Sequence, residues 1–202
     1  MLRLAAPAKL NLSLRVLGRR PDGYHEIETL FERIDLADEL TFEPHEELAL
    51  TCTDLSAVPG TAQAGPALSC GEDNLVIRAA RALQQESGAT RGARLHLVKR
   101  IPIAAGLGGG SSDAAATLLG LNALWDLRWT HARLAELGAG VGSDVAFFLA
   151  DAPFAIGRGR GERCEPLDSA FGLARGKSRA ESRDEPLDSA FGLARGKSRA
   201  ES

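Results

Sequence analysis

Four of the five residues from Gly106 to Gly110 are glycine, and Ser111 and Ser112 follow at once. A backbone of this kind can turn sharply and carry bare N–H groups up to a ligand at close range. The run from Asp113 to Leu124 has no proline and is rich in Ala and Leu, which predicts a helix capped by Ser111 or Ser112. Its positive dipole end would then face the glycines, the arrangement that holds a phosphate. A plain serine-capped turn is the alternative, yet such a turn needs only one or two glycines. Two common phosphate loops do not fit. A P-loop requires Lys directly after its last glycine, where this chain has Ser111, and the dinucleotide fingerprint requires a final glycine where the same serine stands.

The elements around the loop follow from apolar spacing. In Gly92 to Lys99, Ala93, Leu95 and Leu97 alternate with Arg94, His96 and Val98, a strand leading into the loop. Upstream, Leu10, Leu12, Leu14 and Val16 alternate with Asn11, Ser13 and Arg15, which predicts a half-buried strand with Lys9 at its entrance. After the turn Arg20-Pro21-Asp22-Gly23, strands are expected in Tyr24 to Leu36, Glu39 to Phe42 and Glu47 to Thr51, then a loop from Leu55 to Gly71. Asn74 opens a helix in which Val76, Ala79, Ala80 and Leu83 share a face and Gly88 ends it. Thr130 caps a short helix to Leu137. A second glycine-rich turn, Gly138 to Asp144, precedes the apolar Val145 to Leu149, and Pro153 to Ile156 reads as a strand. Strands and helices without clean βαβ alternation predict an α+β domain.

Composition excludes several classes. A net charge of −3 argues against nucleic-acid or anionic-membrane partners. The apolar start is interrupted by Pro7, Lys9, Asn11 and Arg15, so it suits neither a membrane span nor a signal peptide. Cys52, Cys70 and Cys164 are odd in number and widely spaced, as expected of reduced thiols in a cytoplasmic protein rather than of disulfides or a metal site.

From Glu165 the character changes. EPLDSAFGLARGKSRAES at 165–182 recurs letter for letter at 185–202, and its eighteen residues carry six charges and no β-branched side chain. Such a segment buries too little apolar surface to offset the entropy of ordering it. The Gly176-Lys177-Ser178 within it lacks the earlier glycine of a P-loop. Residues 1–167 are therefore expected to form the domain and 168–202 a disordered or non-native tail.

The stretch Pro102-Ile103-Ala104-Ala105-Gly106-Leu107-Gly108-Gly109-Gly110-Ser111-Ser112 resembles the phosphate loop of the GHMP kinases. Pro7 to Leu12, Asp22-Gly23-Tyr24-His25, Thr29-Leu30-Phe31, Glu72 to Leu75 and Gly142 to Val145 extend the likeness in the correct order over roughly residues 2 to 167. The resemblance implies the family's N-terminal domain, a fold like domain 2 of ribosomal protein S5, with the C-terminal domain truncated. It implies a kinase that uses ATP and Mg2+ to phosphorylate a hydroxyl of a cytidine-diphosphate-linked methylerythritol, a precursor of isoprenoids, as a cytoplasmic monomer or homodimer. Its alternatives are a non-catalytic nucleotide-binding remnant and a family member with another small-molecule acceptor.

By the same resemblance Lys9 and Asp144 are catalytic: the lysine holds the acceptor hydroxyl and the aspartate takes its proton. Residues 102–112 hold the nucleotide phosphates, Ser111 and Ser112 lie beside the magnesium ion, and Asn74 and Lys99 lie beside the adenine. Asn11, Tyr24 and His25 face the cytidine-bearing substrate. Each residue also has an ordinary reading. Lys9 is a strand-end charge, Asp144 and Asn74 are helix caps, Tyr24 belongs to a core and His25 to the surface.

Overall fold

The computed structural model describes residues 1–21, 23–57, 67–150 and 152–167. The long strands β1 (Leu2–Arg19) and β2 (His25–His45) form an antiparallel hairpin, so the two strands expected between Tyr24 and Phe42 are one. Register shifts at Pro7/Ala8, Asn11/Ser13 and Val16/Gly18 absorb the irregularities of pairing along it. β2 is the shared member of the sheet. On the edge away from β1, Glu39–His45 pairs with β4 (Gly92–Lys99) and Ile27–Glu32 pairs with β5 (Phe154–Gly159). β3 (Leu48–Asp54) lies parallel to β4, and β6 (Arg163–Leu167) pairs with β5. The expected α+β mixture is observed, and α1 (Leu75–Ser87) crosses between β3 and β4 as a single βαβ unit.

The core gathers on α2 (Gly109–Leu124). Every residue from Ser112 to Asn122 is buried, because the sheet strands β1 and β2 pack on one side and α1, α3 (His131–Ala139) and α4 (Val145–Leu149) on the others. Helix and sheet approach closely at Gly120, where an added Cβ would stand 2.5 Å from the Phe42 ring. The smaller helices begin as their sequences dictate. The Asn74 side chain accepts from the Val76 N–H, Gly88 ends α1 in a left-handed conformation, and Thr130 accepts from the Arg133 N–H.

Two local expectations are corrected. Ser111 and Ser112 do not cap α2. The helix starts earlier, with Gly108 as its N-cap at φ +69° and no side-chain cap, which leaves both hydroxyls inside the first turn. The strand at Leu10–Val16 forms but is not half-buried: Leu10 is 39% exposed and Val16 62%. Alternation reports two faces of a strand, not whether anything covers either one, and the helices cover only the Leu2–Lys9 end. Glu165–Leu167, where the repeat begins, belong to strand β6 (Arg163–Leu167), with Leu167 in the core. Residues 58–66 and 168–202, including both remaining repeat stretches and Gly176-Lys177-Ser178, lie outside the described residues. Among the described residues, no helix is long and apolar enough to cross a membrane.

Candidate active site

The glycine loop leaves β4 at Lys99 and enters α2 at Gly109. Ala104 at φ +60° holds a backbone conformation that non-glycine residues rarely adopt, a mark of a loop fixed from outside. At Gly108 a side chain is excluded both by φ +69° and by space, since a Cβ would lie 3.0 Å from the Lys9 side chain and 3.1 Å from the Phe148 ring. With no side-chain cap, the first-turn N–H groups of α2 have no intrahelical acceptor. The loop borders a cavity of about 390 Å3, closed opposite by residues 67–69 and 73–75. Asn74, expected beside the adenine, lines it while its side chain caps α1 and donates to the Ser69 carbonyl.

Lys9 is joined to this loop through its backbone, whose N–H donates to the Leu107 carbonyl at 2.9 Å. Its side chain is buried over the Phe31 ring at 5.3 Å and donates from Nζ to Asn11 Oδ1 at 2.5 Å. Asp144 Oδ2 stands 3.5 Å from the same Nζ, and its side chain keeps 21% exposure against 7% for the lysine. The pair is long for a salt bridge and open on one side, so the ammonium has room for another oxygen. Asp144 precedes α4 without capping it by its side chain, which sets aside the capping reading. The second glycine turn brings it there: a Cβ on Gly142 would meet Ser111 Oγ at 3.2 Å, so residues 142–144 sit on the first turn of α2.

The expected substrate residues divide. Asn11 is occupied in holding Lys9, because its amide also donates to Thr29 Oγ1 at 2.7 Å. Tyr24 is exposed, with the Arg160 guanidinium 4.9 Å over its ring. The next residue, Gly161, reaches Asp144, since a Cβ there would be 3.3 Å from Oδ1. The β5–β6 turn thus approaches Tyr24 and Asp144 through neighbouring residues. His25 is exposed at the start of β2, paired across to Arg19.

Lys99, expected beside the adenine, lines the same cavity as Asn74. Its ammonium lies beneath the loop, bonded to Asp38 and to Asp113 Oδ2 at 2.7 Å, with all three side chains 5% exposed or less. Burial pushes the Asp113 carboxyl above the usual carboxylate range, against the pull of the Lys99 ammonium. Asp113 Oδ1 and Ser112 Oγ, both buried, have no hydrogen-bond partner. Ser111, which lines the cavity, and the uncapped N–H groups at the start of α2 form a set suited to phosphate and its counter-cation. Sequence reasoning missed Asp38 and Arg160, and marked Thr29 and Phe31 only as part of the family likeness. Asp38 lies in a gap between two expected strands, and its partners Lys99, Arg100 and Ile101 are 61 to 63 positions away, so no local signal could mark it.

The family model for the GHMP kinases N terminal domain matches residues 74–153. The chain is similar to 4-diphosphocytidyl-2-C-methyl-D-erythritol kinase of Salinibacter ruber (strain DSM 13855 / M31), 51% identical over 162 residues that cover 80% of this chain and 53% of the relative. The enzyme of the same name from Pseudomonas syringae pv. syringae (strain B728a) is 50% identical, covering 82% of this chain and 55% of the relative. The chain spans about half the length of the curated relatives it matches. A crystal structure of 4-(cytidine 5'-diphospho)-2C-methyl-D-erythritol kinase superposes with a TM-score of 0.65 at 44% identity, over 82% of this chain and 55% of that one. A crystal structure of mevalonate kinase, 14% identical with a TM-score of 0.59 over 86% of this chain and 58% of that one, shares the fold.

Proposed function

Since the chain belongs to the GHMP kinase family, we propose that it transfers the terminal phosphoryl group of ATP to a hydroxyl of 4-diphosphocytidyl-2-C-methyl-D-erythritol. The observation that carries this reading is the open Lys9–Asp144 pair, attached through the Lys9 backbone to the glycine loop. Phosphoryl transfer needs positioning and charge neutralisation more than covalent help. In this reading the N–H groups around Gly108–Gly110 hold the phosphate oxygens. Lys9 Nζ holds the acceptor oxygen and offsets the charge that develops on it, and Asp144 takes the hydroxyl proton. Mg2+ supplies further charge neutralisation and orientation when bound, with Ser111 and Ser112 as the residues that would hold it. Tyr24 offers a ring on which the cytosine base stacks, with His25 beside it. Asn11 keeps Lys9 aimed. The same reading makes residues 1–167 the domain and the protein cytoplasmic.

The test is ADP release by the 202-residue chain with ATP, Mg2+ and the cytidine-linked acceptor, with the phosphate ester followed by phosphorus NMR. Acceptor-dependent ADP formation supports the assignment. Turnover with mevalonate or homoserine in place of the cytidine-linked acceptor reassigns the substrate, and ATP binding without turnover on any acceptor contradicts catalysis.

A further inference from the structure

We infer that Asp38, Lys99 and Asp113 form a staple that fixes the two ends of the glycine loop relative to each other, and that Asp113 is a positioning residue for phosphate binding. The inference rests on the reading of the loop as the phosphate cradle. At the entrance, Asp38 Oδ1 accepts the backbone N–H groups of Arg100 at 2.5 Å and Ile101 at 2.8 Å, the last residues before Pro102. Its other oxygen accepts from Lys99 Nζ. The same ammonium crosses to the exit, where it donates to Asp113 Oδ2 in the second turn of α2. One cation therefore spans from β2, through β4, to α2, and the residues 100–113 run between its anchors. Space confirms how directly it passes below the loop: a Cβ on Gly109 would stand 2.7 Å from Lys99 Nζ.

The charges show that the arrangement serves more than packing. Placing an ammonium under a helix N-terminus sets positive charge against the positive end of the dipole, which a purely structural ion pair gains nothing from doing. Two carboxylates around it remove that conflict. They leave the free N–H groups above as the field that an anion meets. Asp113 Oδ1 is buried and without a partner, as is Ser112 Oγ on the preceding residue, so the exit end of the loop keeps acceptor and hydroxyl capacity in reserve. An unsatisfied buried polar atom is costly unless a ligand or ordered water completes it.

Asp113→Ala tests the staple, because it cuts the link to α2 while Asp38 and Lys99 remain a charge-balanced pair. Amide hydrogen exchange of residues 104–112 in the full chain should rise about tenfold or more, with the amides of β2 and β4 unchanged. Affinity for ATP with Mg2+ should fall by a similar factor while affinity for adenosine stays the same. Asp113→Asn, which still offers Lys99 an oxygen, should restore most of both. Exchange that is unchanged at the loop, or raised equally through the sheet, overturns the staple. If Asp113→Ala does not fold, Asp113→Ser, whose shorter side chain also gives up the bond to Lys99, decides: loop exchange raised above that of β2 and β4 supports the inference, and wild-type exchange with wild-type affinity overturns it. If the unaltered chain binds no ATP, the proposed function fails, and the exchange measurements still decide the staple.

Discussion

Two lysines flank the glycine loop, both almost wholly buried and both facing aspartate, yet their surroundings give them different work. Lys99 is enclosed by Asp38 and Asp113 at hydrogen-bond distance, its side chain 5% exposed. Lys9 meets Asp144 at 3.5 Å, with an aspartate that remains partly open to water and a neutral amide from Asn11 as its closest bond. A tight cluster in which two carboxylates hold one ammonium resists change and therefore holds structure. A loose pair with spare donor capacity can accept a new oxygen and therefore suits chemistry. The difference arises from the sheet: β4 buries its last residue under α2, whereas β1 delivers Lys9 just where the helices cease to cover the strand.

The largest effects should separate the two pairs. Lys99→Met strands two buried carboxylates, and its cost of about 3–5 kcal/mol should lower the melting temperature by about 10 °C in a circular-dichroism melt. A melt within a degree or two of the parent would show that Lys99 is not the structural member. Lys9→Met leaves Asp144 near water, so it should cost about 1 kcal/mol or less in the same melt while reducing acceptor-dependent ADP formation about 10²-fold or more. Equal losses of stability in the two variants would erase the distinction. Gly120→Ala measures the packing on which the buried pair depends: forcing a Cβ against Phe42 should cost about 1–3 kcal/mol, seen as a lower denaturant midpoint.

The smallest effect uses a thiol as reporter. Burial pushes the Cys164 thiol up to about 12, and the charges of Asp144 and Glu162 add to the rise. Only the thiolate reacts, so alkylation by iodoacetamide at pH 8 should be slow at Cys164 and faster at exposed Cys70, and should quicken as pH rises. Asp144→Asn removes one of the charges disfavouring the thiolate and should speed Cys164 modification a few-fold by mass spectrometry. No change would mean that the Asp144 charge is directed elsewhere.

The sequence made the working pair easier to find than the holding one. Lys9 and Asp144 lie inside short recognisable motifs, and the glycine loop announces itself by composition. Helix α1 was legible from Asn74, Gly88 and its apolar face because caps and periodicity are local. Asp38 was not legible, since its meaning depends on partners brought together by a long hairpin and a crossover. For the same reason the motif marked Lys99 beside the loop, but not the two carboxylates that hold its ammonium there. The stripe Leu10 to Val16 failed through a different cause, because period-two spacing is identical whether or not a helix layer covers the strand.

The most direct test of the account is the Asp144→Asn chain, assayed for acceptor-dependent ADP formation beside its ATP affinity and melting temperature. The account predicts a rate about 10²–10⁴-fold lower with ATP affinity and melting temperature essentially those of the parent. A rate within about threefold of the parent would contradict the assignment of Asp144 as the base, far outside the loss that removing a general base produces.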